Sequence, residues 1–190
     1  MKQNTIDGLP LWLLAQEEHT TDVLGVTSPF LLVNRYVENS SSSSAPTHEL
    51  ANIFFNPKVL QDFTYENTMA IQLKKSYRNN HQYILVGRSE ECDIVISRDD
   101  ISRRHLGFTK REDKWYVVDF GSTNGAALNG ERMEPNKLYK VPSQSVITMG
   151  ADRPLDMALI MPIELGILLA GIIASESVYE TEESDQLGDD

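Results

Sequence analysis

Four short clusters in this chain carry the side chains that could do chemistry. In order they are Gly87-Arg88, Ser102-Arg103-Arg104-His105, Asp119-Phe120-Gly121-Ser122-Thr123-Asn124-Gly125 and Leu128-Asn129-Gly130. Each lies between short apolar alternating runs, so arginines, hydroxyls and an amide sit on the loops of a β scaffold. That is equipment for holding a phosphate. A phosphorylated side chain presents about two negative charges and three acceptor oxygens, so its receptor needs fixed donors on several sides. Arg88, at a strand end, offers a planar fork that no lysine can imitate. Ser102 brings a hydroxyl from the next loop, and Thr123 and Asn124 lie on a third.

The order and spacing of these clusters resemble the forkhead-associated (FHA) domain. Its family signature is a Gly-Arg, a Ser-x-x-His, and an Asn-Gly followed by a second Asn-Gly. Singly these pairs carry little information. Their ordered combination within one β-rich stretch, about residues 70 to 161, carries the resemblance. It implies a phosphothreonine-binding site made by Arg88, Ser102, Arg103, Thr123 and Asn124. In that reading Arg103 donates to the phosphate or to the peptide backbone, Asn124 clamps the peptide main chain, and Thr123 lines the pocket for the phosphothreonine methyl. His105 is then structural, bonding across to loop backbone and holding the Ser102 loop in shape. Gly87, Gly125 and Gly130 are backbone devices, providing positive φ or close approach, and Asn129-Gly130 reads as a hairpin turn. Asp100, two residues before Ser102, stands where some family members that favour an acid three positions after the phosphothreonine carry an arginine. Disfavour for an acid there is the expectation. The plainer alternative makes Arg88 and Arg103 solvated surface charges paired with Glu90, Glu91, Asp99 or Asp100. Such pairs contribute only about 0 to 1 kcal/mol and would not require this arrangement.

The elements that must position these residues begin at Met69. Met69–Tyr77 alternates, Arg78-Asn79-Asn80-His81 has hairpin-turn chemistry, and Gln82–Gly87 resumes as a strand. Further strands fit Asp93–Ser97, Leu106–Lys110, Lys114–Phe120, Ser145–Gly150 and Asp156–Met161. Strand-turn units this close together imply a sandwich or barrel. With the resemblance, the fold class is all-β, an FHA-type β-sandwich of two antiparallel sheets with about ten or eleven strands. The expected organisation is an N-terminal arm and Ser-rich linker over 1–45, a short helical or irregular segment over 46–68, and the sandwich over 69–161. A short C-terminal helix over 162–175 and an acidic disordered tail over 176–190 complete it. Residues 1 to about 38 show no sustained period despite Phe30-Leu31-Leu32-Val33, and Ser40–Ser44 has the composition of a flexible connection. Thr47 could cap a short helix that Pro57 interrupts, with Pro57–Phe63 as a second.

Composition narrows the partners. A formal net charge of −11 in 190 residues weighs against nucleic acid or an anionic membrane, both of which need surplus Lys and Arg. A single cysteine, Cys92, makes no internal bridge and no metal site, so a reduced, cytoplasmic location and no cofactor or metal are expected. Met157–Ala174 is apolar enough to raise the membrane question, but Pro162 breaks it near its start and Glu164 would be costly at hydrocarbon depth. No Walker-type loop, His-Glu-x-x-His or Gly-x-Ser-x-Gly is present, which argues against an enzyme. The carboxylates Asp93, Asp99, Asp119 and Glu131 read as solvated or in turns.

The function these readings point to is a phosphothreonine-peptide-binding adaptor in Ser/Thr kinase signalling, its partners being phosphothreonine-containing proteins. Thr20 and Thr21 follow acids on the arm. This is similar to small bacterial FHA regulators in which a kinase phosphorylates a Thr-Thr pair that the domain's own pocket then captures. Chance placement of two threonines in an acidic loop is the other reading. An alternative function is a phospho-independent assembly subunit, secretion-related for example, using the sandwich and the flanking apolar segments. A homodimer through the N-terminal region or C-terminal helix would fit either.

Overall fold

The structure, a computed structural model, describes residues 8–10, 14, 25–34, 68–76, 79–151 and 154–171. The expected serine linker, the helices at 47–63, Thr20, Thr21 and the acidic tail lie outside them. Twelve strands are described: β1 (Gly8–Pro10), β2 (Phe30–Asn34), β3 (Thr68–Gln72), β4 (Ile84–Gly87), β5 (Ile94–Val95), β6 (Leu106–Arg111), β7 (Lys114–Asp119), β8 (Ala126–Leu128), β9 (Glu131–Arg132), β10 (Leu138–Lys140), β11 (Val146–Met149) and β12 (Leu155–Ile160). They form a seven-stranded sheet, β1-β3-β2-β12-β11-β8-β9, and a five-stranded sheet, β10-β7-β6-β4-β5. All pairings are antiparallel except β4 with β5, which run parallel. The fold is the all-β sandwich expected.

Inward-facing side chains of both sheets interleave in one apolar core, including Leu31, Ile71, Val86, Leu106, Phe108, Val117, Ile147, Met157 and Leu159. A second core lies on the outer face of the larger sheet. There Phe30, Leu32, Ala70, Ala158 and Ile160 pack with Leu165, Leu168 and Leu169 of the helix α1, residues 162–171. Alternate residues of β2 and β12 thus enter different cores, so both strands are apolar on both faces. The helix start is fixed by Glu164, whose carboxylate accepts the Met161 N–H at 2.8 Å in the manner of half a capping box. Glu164 also takes Gln144 Nε2 at 3.0 Å and the Ser143 hydroxyl, tying α1 to the turn before β11.

Three expectations change. Phe30–Asn34, read as part of an arm without period, lies between β3 and β12 in the larger sheet, and Gly8–Pro10 pairs with β3. The sandwich therefore draws on chain before residue 69. β3 and β4 are not a hairpin: they belong to different sheets, and the segment between them crosses from one to the other. Asp93 seals that crossing, accepting from Lys75 Nζ at 2.9 Å and from Ser76 N, Ser76 Oγ and Leu85 N, each at 2.7 Å. Its side chain is fully buried and Asp119 is buried too, so neither is solvated, and of the two readings only the placement of Asp119 at a turn holds. The apolar run that begins at Met157 divides as read, β12 ending at Ile160 and α1 beginning at residue 162. Among the described residues no helix is long and apolar enough to cross a membrane.

Candidate functional site

Three loops meet at one end of the sandwich: β4–β5 with Gly87 at its start and Arg88 within it, β5–β6 with Ser102 and Arg103, and β7–β8 with Thr123 and Asn124. Backbone bonds lock the first two together. Arg88 N donates to Ser102 O at 3.0 Å, Ser89 N to Arg103 O at 3.1 Å, and His105 N to Val86 O at 2.9 Å. This approach is possible because residue 87 is glycine. A Cβ there would stand 2.4 Å from Arg103 O and 2.9 Å from Ser102 O. The Cys92 thiol adds a bond from its buried side, donating to Arg103 O at 3.1 Å, and burial pushes its pKa up to about 11, so it stays protonated.

His105 has no exposed surface and joins the second loop to the third. Its Nδ1 accepts the Ser102 N–H at 3.2 Å, so Nε2 carries the proton and donates to Gly125 O at 3.2 Å. Burial holds its pKa below the ordinary value, against the opposing effect of the Gly125 bond. Asp119 shapes the third loop, accepting Ser122 N at 2.7 Å and Ser122 Oγ at 3.0 Å from three residues on. Gly125 (φ 74°) and the Asn129-Gly130 pair (φ 52° and 84°) occupy left-handed conformations. The latter is the two-residue turn joining β8 to β9.

Ser102 Oγ accepts the Thr123 N–H at 3.0 Å, which leaves its own proton for an anion or for Thr123 Oγ1 at 3.4 Å. Arg88, Ser102, Arg103 and Thr123, with Ser89, Glu91 and Arg104, line an open concavity of about 610 Å³. Four of the five expected ligand-binding residues are thus brought together. Asn124 is not among the lining residues: its Nδ2 donates to Asp100 O at 2.7 Å, bridging the third loop to the second. Neither the Arg88 nor the Arg103 side chain is in an ion pair among the described residues. Of the four acids that the plainer alternative pairs with them, two are engaged elsewhere, Asp100 with Arg98 (2.9 and 2.5 Å) and Glu91 with Arg104 (3.1 Å). The Arg98 guanidinium holds the Asp100 carboxyl below the usual range.

Sequence reasoning missed Arg104 and Glu91 as lining residues and Asp93 and Asp119 as organisers of the loops. Arg104 could have been found, since it sits beside Arg103 on the same loop. Asp93 leaves no local signal, because its donors come from other segments, whereas Asp119 is bonded by Ser122 of its own loop.

An FHA domain family model matches residues 84–150. The FHA domain-containing protein FhaB of Mycolicibacterium smegmatis is 36% identical over 70 residues, covering 37% of this chain and 44% of the relative. The human nuclear inhibitor of protein phosphatase 1 is 32% identical over 82 residues, covering 42% of this chain and 23% of that protein. The chain thus spans less than half the length of these curated relatives. Among solved structures, the N-terminal FHA domain of S. cerevisiae Rad53p in complex with a phosphothreonine peptide aligns with 73% of this chain and 97% of that one, at 14% identity and a TM-score of 0.46. Residues 84–150, with the three loops that build the concavity, are a forkhead-associated domain.

Proposed function

We propose that this chain is a phosphothreonine-peptide-binding adaptor, and that the concavity of Arg88, Ser102, Arg103 and Thr123 is where the phosphate binds. The carrying observation is that two arginines outside any ion pair among the described residues share an open concavity with two hydroxyls, on loops held rigid by their own backbone bonds. The loop backbones that carry these donors need no reorganisation to meet a dianion. Phosphopeptide capture by these domains is one of the established modes of peptide recognition. Charge-assisted hydrogen bonds contribute about 1.5 to 3 kcal/mol each. About four of them reach micromolar affinity, about −8 kcal/mol, only at the low end of the association cost of about 4 to 15 kcal/mol, so contacts to the rest of the peptide must supply the remainder.

The test is titration of a degenerate phosphothreonine peptide library against the wild type and Arg88→Ala, read by calorimetry or fluorescence polarisation. Binding that requires the phosphate and falls about 10- to 100-fold in the variant supports the proposal. Binding that survives both the substitution and phosphatase treatment rejects it. The pairing of Asp100 with Arg98 leaves little net charge there, so discrimination against an acid three positions after the phosphothreonine is expected to be about threefold or less. The finer part of the proposal is that a Ser/Thr kinase modifies Thr20 or Thr21 and that the product occupies the concavity from within the chain. Tethering supplies effective concentrations on the order of millimolar, enough to displace a micromolar partner. Mass spectrometry after kinase treatment checks it, and absence of phosphate on both threonines ends it. The alternative of an assembly subunit draws no support from α1, whose Leu165, Leu168 and Leu169 are buried against the chain's own sheet.

A further inference from the structure

The concavity is not uniformly cationic, because Glu91 also lines it. This acid is built into place. Asn79 Nδ2, from the segment before β4, donates to the Glu91 carbonyl at 2.7 Å, and the Glu91 N–H meets Ser89 Oγ at 3.4 Å. The next residue, Cys92, is buried with its thiol on Arg103 O, so the backbone beside Glu91 is anchored as well. Its carboxylate takes Arg104 Nη2 at 3.1 Å, and the two side chains remain 64% and 55% exposed, so a ligand can reach both.

A phosphate on Arg88 and Ser102 would bring about two negative charges into the space this carboxylate borders. One concavity is small enough that the like charges lie within about a Debye length, roughly 8 Å at physiological salt. Arg88, Arg103 and Arg104 balance the phosphate and Glu91 in sum, so the selection is local: a cation of the ligand beside Glu91 is attracted, and an acid there is repelled.

Resting on the reading that the concavity binds phosphothreonine, we propose that Glu91 is its specificity-determining residue, selecting ligands with a lysine or arginine close to the phosphothreonine and disfavouring those with an acid there. The device is an anion on an anchored stretch of backbone, placed beside the anion-binding site. A neutral neighbour would accept any phosphopeptide; this one reads the charge that accompanies the phosphate.

The experiment uses the full chain and fluorescence polarisation. One phosphothreonine peptide is varied to Lys, Ala or Glu at each of the three positions on either side of the phosphoresidue. The wild type, Glu91→Gln, Glu91→Asp and the remote control Glu134→Gln are compared at two salt concentrations. In the wild type, lysine at one or more positions is expected to bind about three- to fivefold tighter than alanine, and glutamate weaker by a similar factor. Glu91→Gln should tighten the alanine peptide and collapse the Lys-to-Glu ratio towards one, Glu91→Asp should retain part of it, and Glu134→Gln should leave it unchanged. A ratio that persists in Glu91→Gln, or a wild type that binds phosphopeptides without regard to flanking charge, overturns this inference and leaves the phosphate site standing. Absence of any phosphate-dependent binding removes both.

Discussion

The carbonyl of Arg103 occupies the space that a methyl group at residue 87 would need. Gly87→Ala must therefore push the β5–β6 loop away from β4 and break the bonds from Arg88 N and Ser89 N. We expect a loss of about 1 to 3 kcal/mol in thermal unfolding together with at least tenfold weaker phosphopeptide binding. Gly130→Ala is the matched comparison. Nothing lies within 4 Å of its added Cβ, so only the left-handed backbone penalty of about 1 to 2 kcal/mol applies, and binding should be unchanged. Equal effects on binding from the two variants would refute the close-approach argument. His105 gives a pH-dependent counterpart. Its folded pKa is depressed, so below the unfolded value near 6.5 the unfolded chain binds a proton that the folded chain refuses. Stability is full above about pH 6.5 and falls as pH drops towards the folded pKa. His105→Gln should flatten that slope in urea titrations between about pH 6.5 and 5, and an unchanged slope would place its origin in other groups.

At the level of elements, β2 has the largest structural consequence of anything the sequence pattern concealed. Its residues Leu31 and Leu32 are fully buried on opposite faces, and β12 pairs along its length. A chain starting at residue 69 loses Phe30, Leu31, Leu32 and Val33 from two cores, at about 1.5 to 3 kcal/mol each. That sum matches the whole stability of an ordinary domain, so we expect no cooperative melting transition from such a chain, measured by circular dichroism. A transition like that of the intact protein would show β2 to be dispensable. The same burial explains why this strand was illegible: with both faces apolar, no polar alternation marks the period, and Phe30-Leu31-Leu32-Val33 reads as a bare apolar run. β8, β9 and β10, at two or three residues each, show no period of their own, although the Asn129-Gly130 turn between the first two was legible; β5, equally short, was found only because an alternating run extends beyond it. β6, β7, β11 and β12 were legible because turn residues bracket each of them. At the site, the loops bearing Arg88, Ser102 and Thr123 followed from the sequence, whereas the inward turn of Asn124 to Asp100 O depends on how two loops pack.

For the molecule as a whole the net charge is −11, whereas the concavity carries three arginines and one acid, so the site is opposite in sign to the chain. Both layers of apolar packing lean on the seven-stranded sheet, with the five-stranded sheet on one side and α1 on the other. Near the centre of that sheet β2 and β12 are neighbours, although they come from opposite ends of the described chain. Contacts of such high sequence separation make folding slow, because most of the polymer must be ordered before the pairing is rewarded. On the ribosome, β2 is synthesised early and then waits, its apolar edge unmatched, until β12 has left the exit tunnel. Nascent chains stalled before β12 should therefore depend on chaperones, while the arginine-bearing loops are already complete in sequence but have no framework to hold them open.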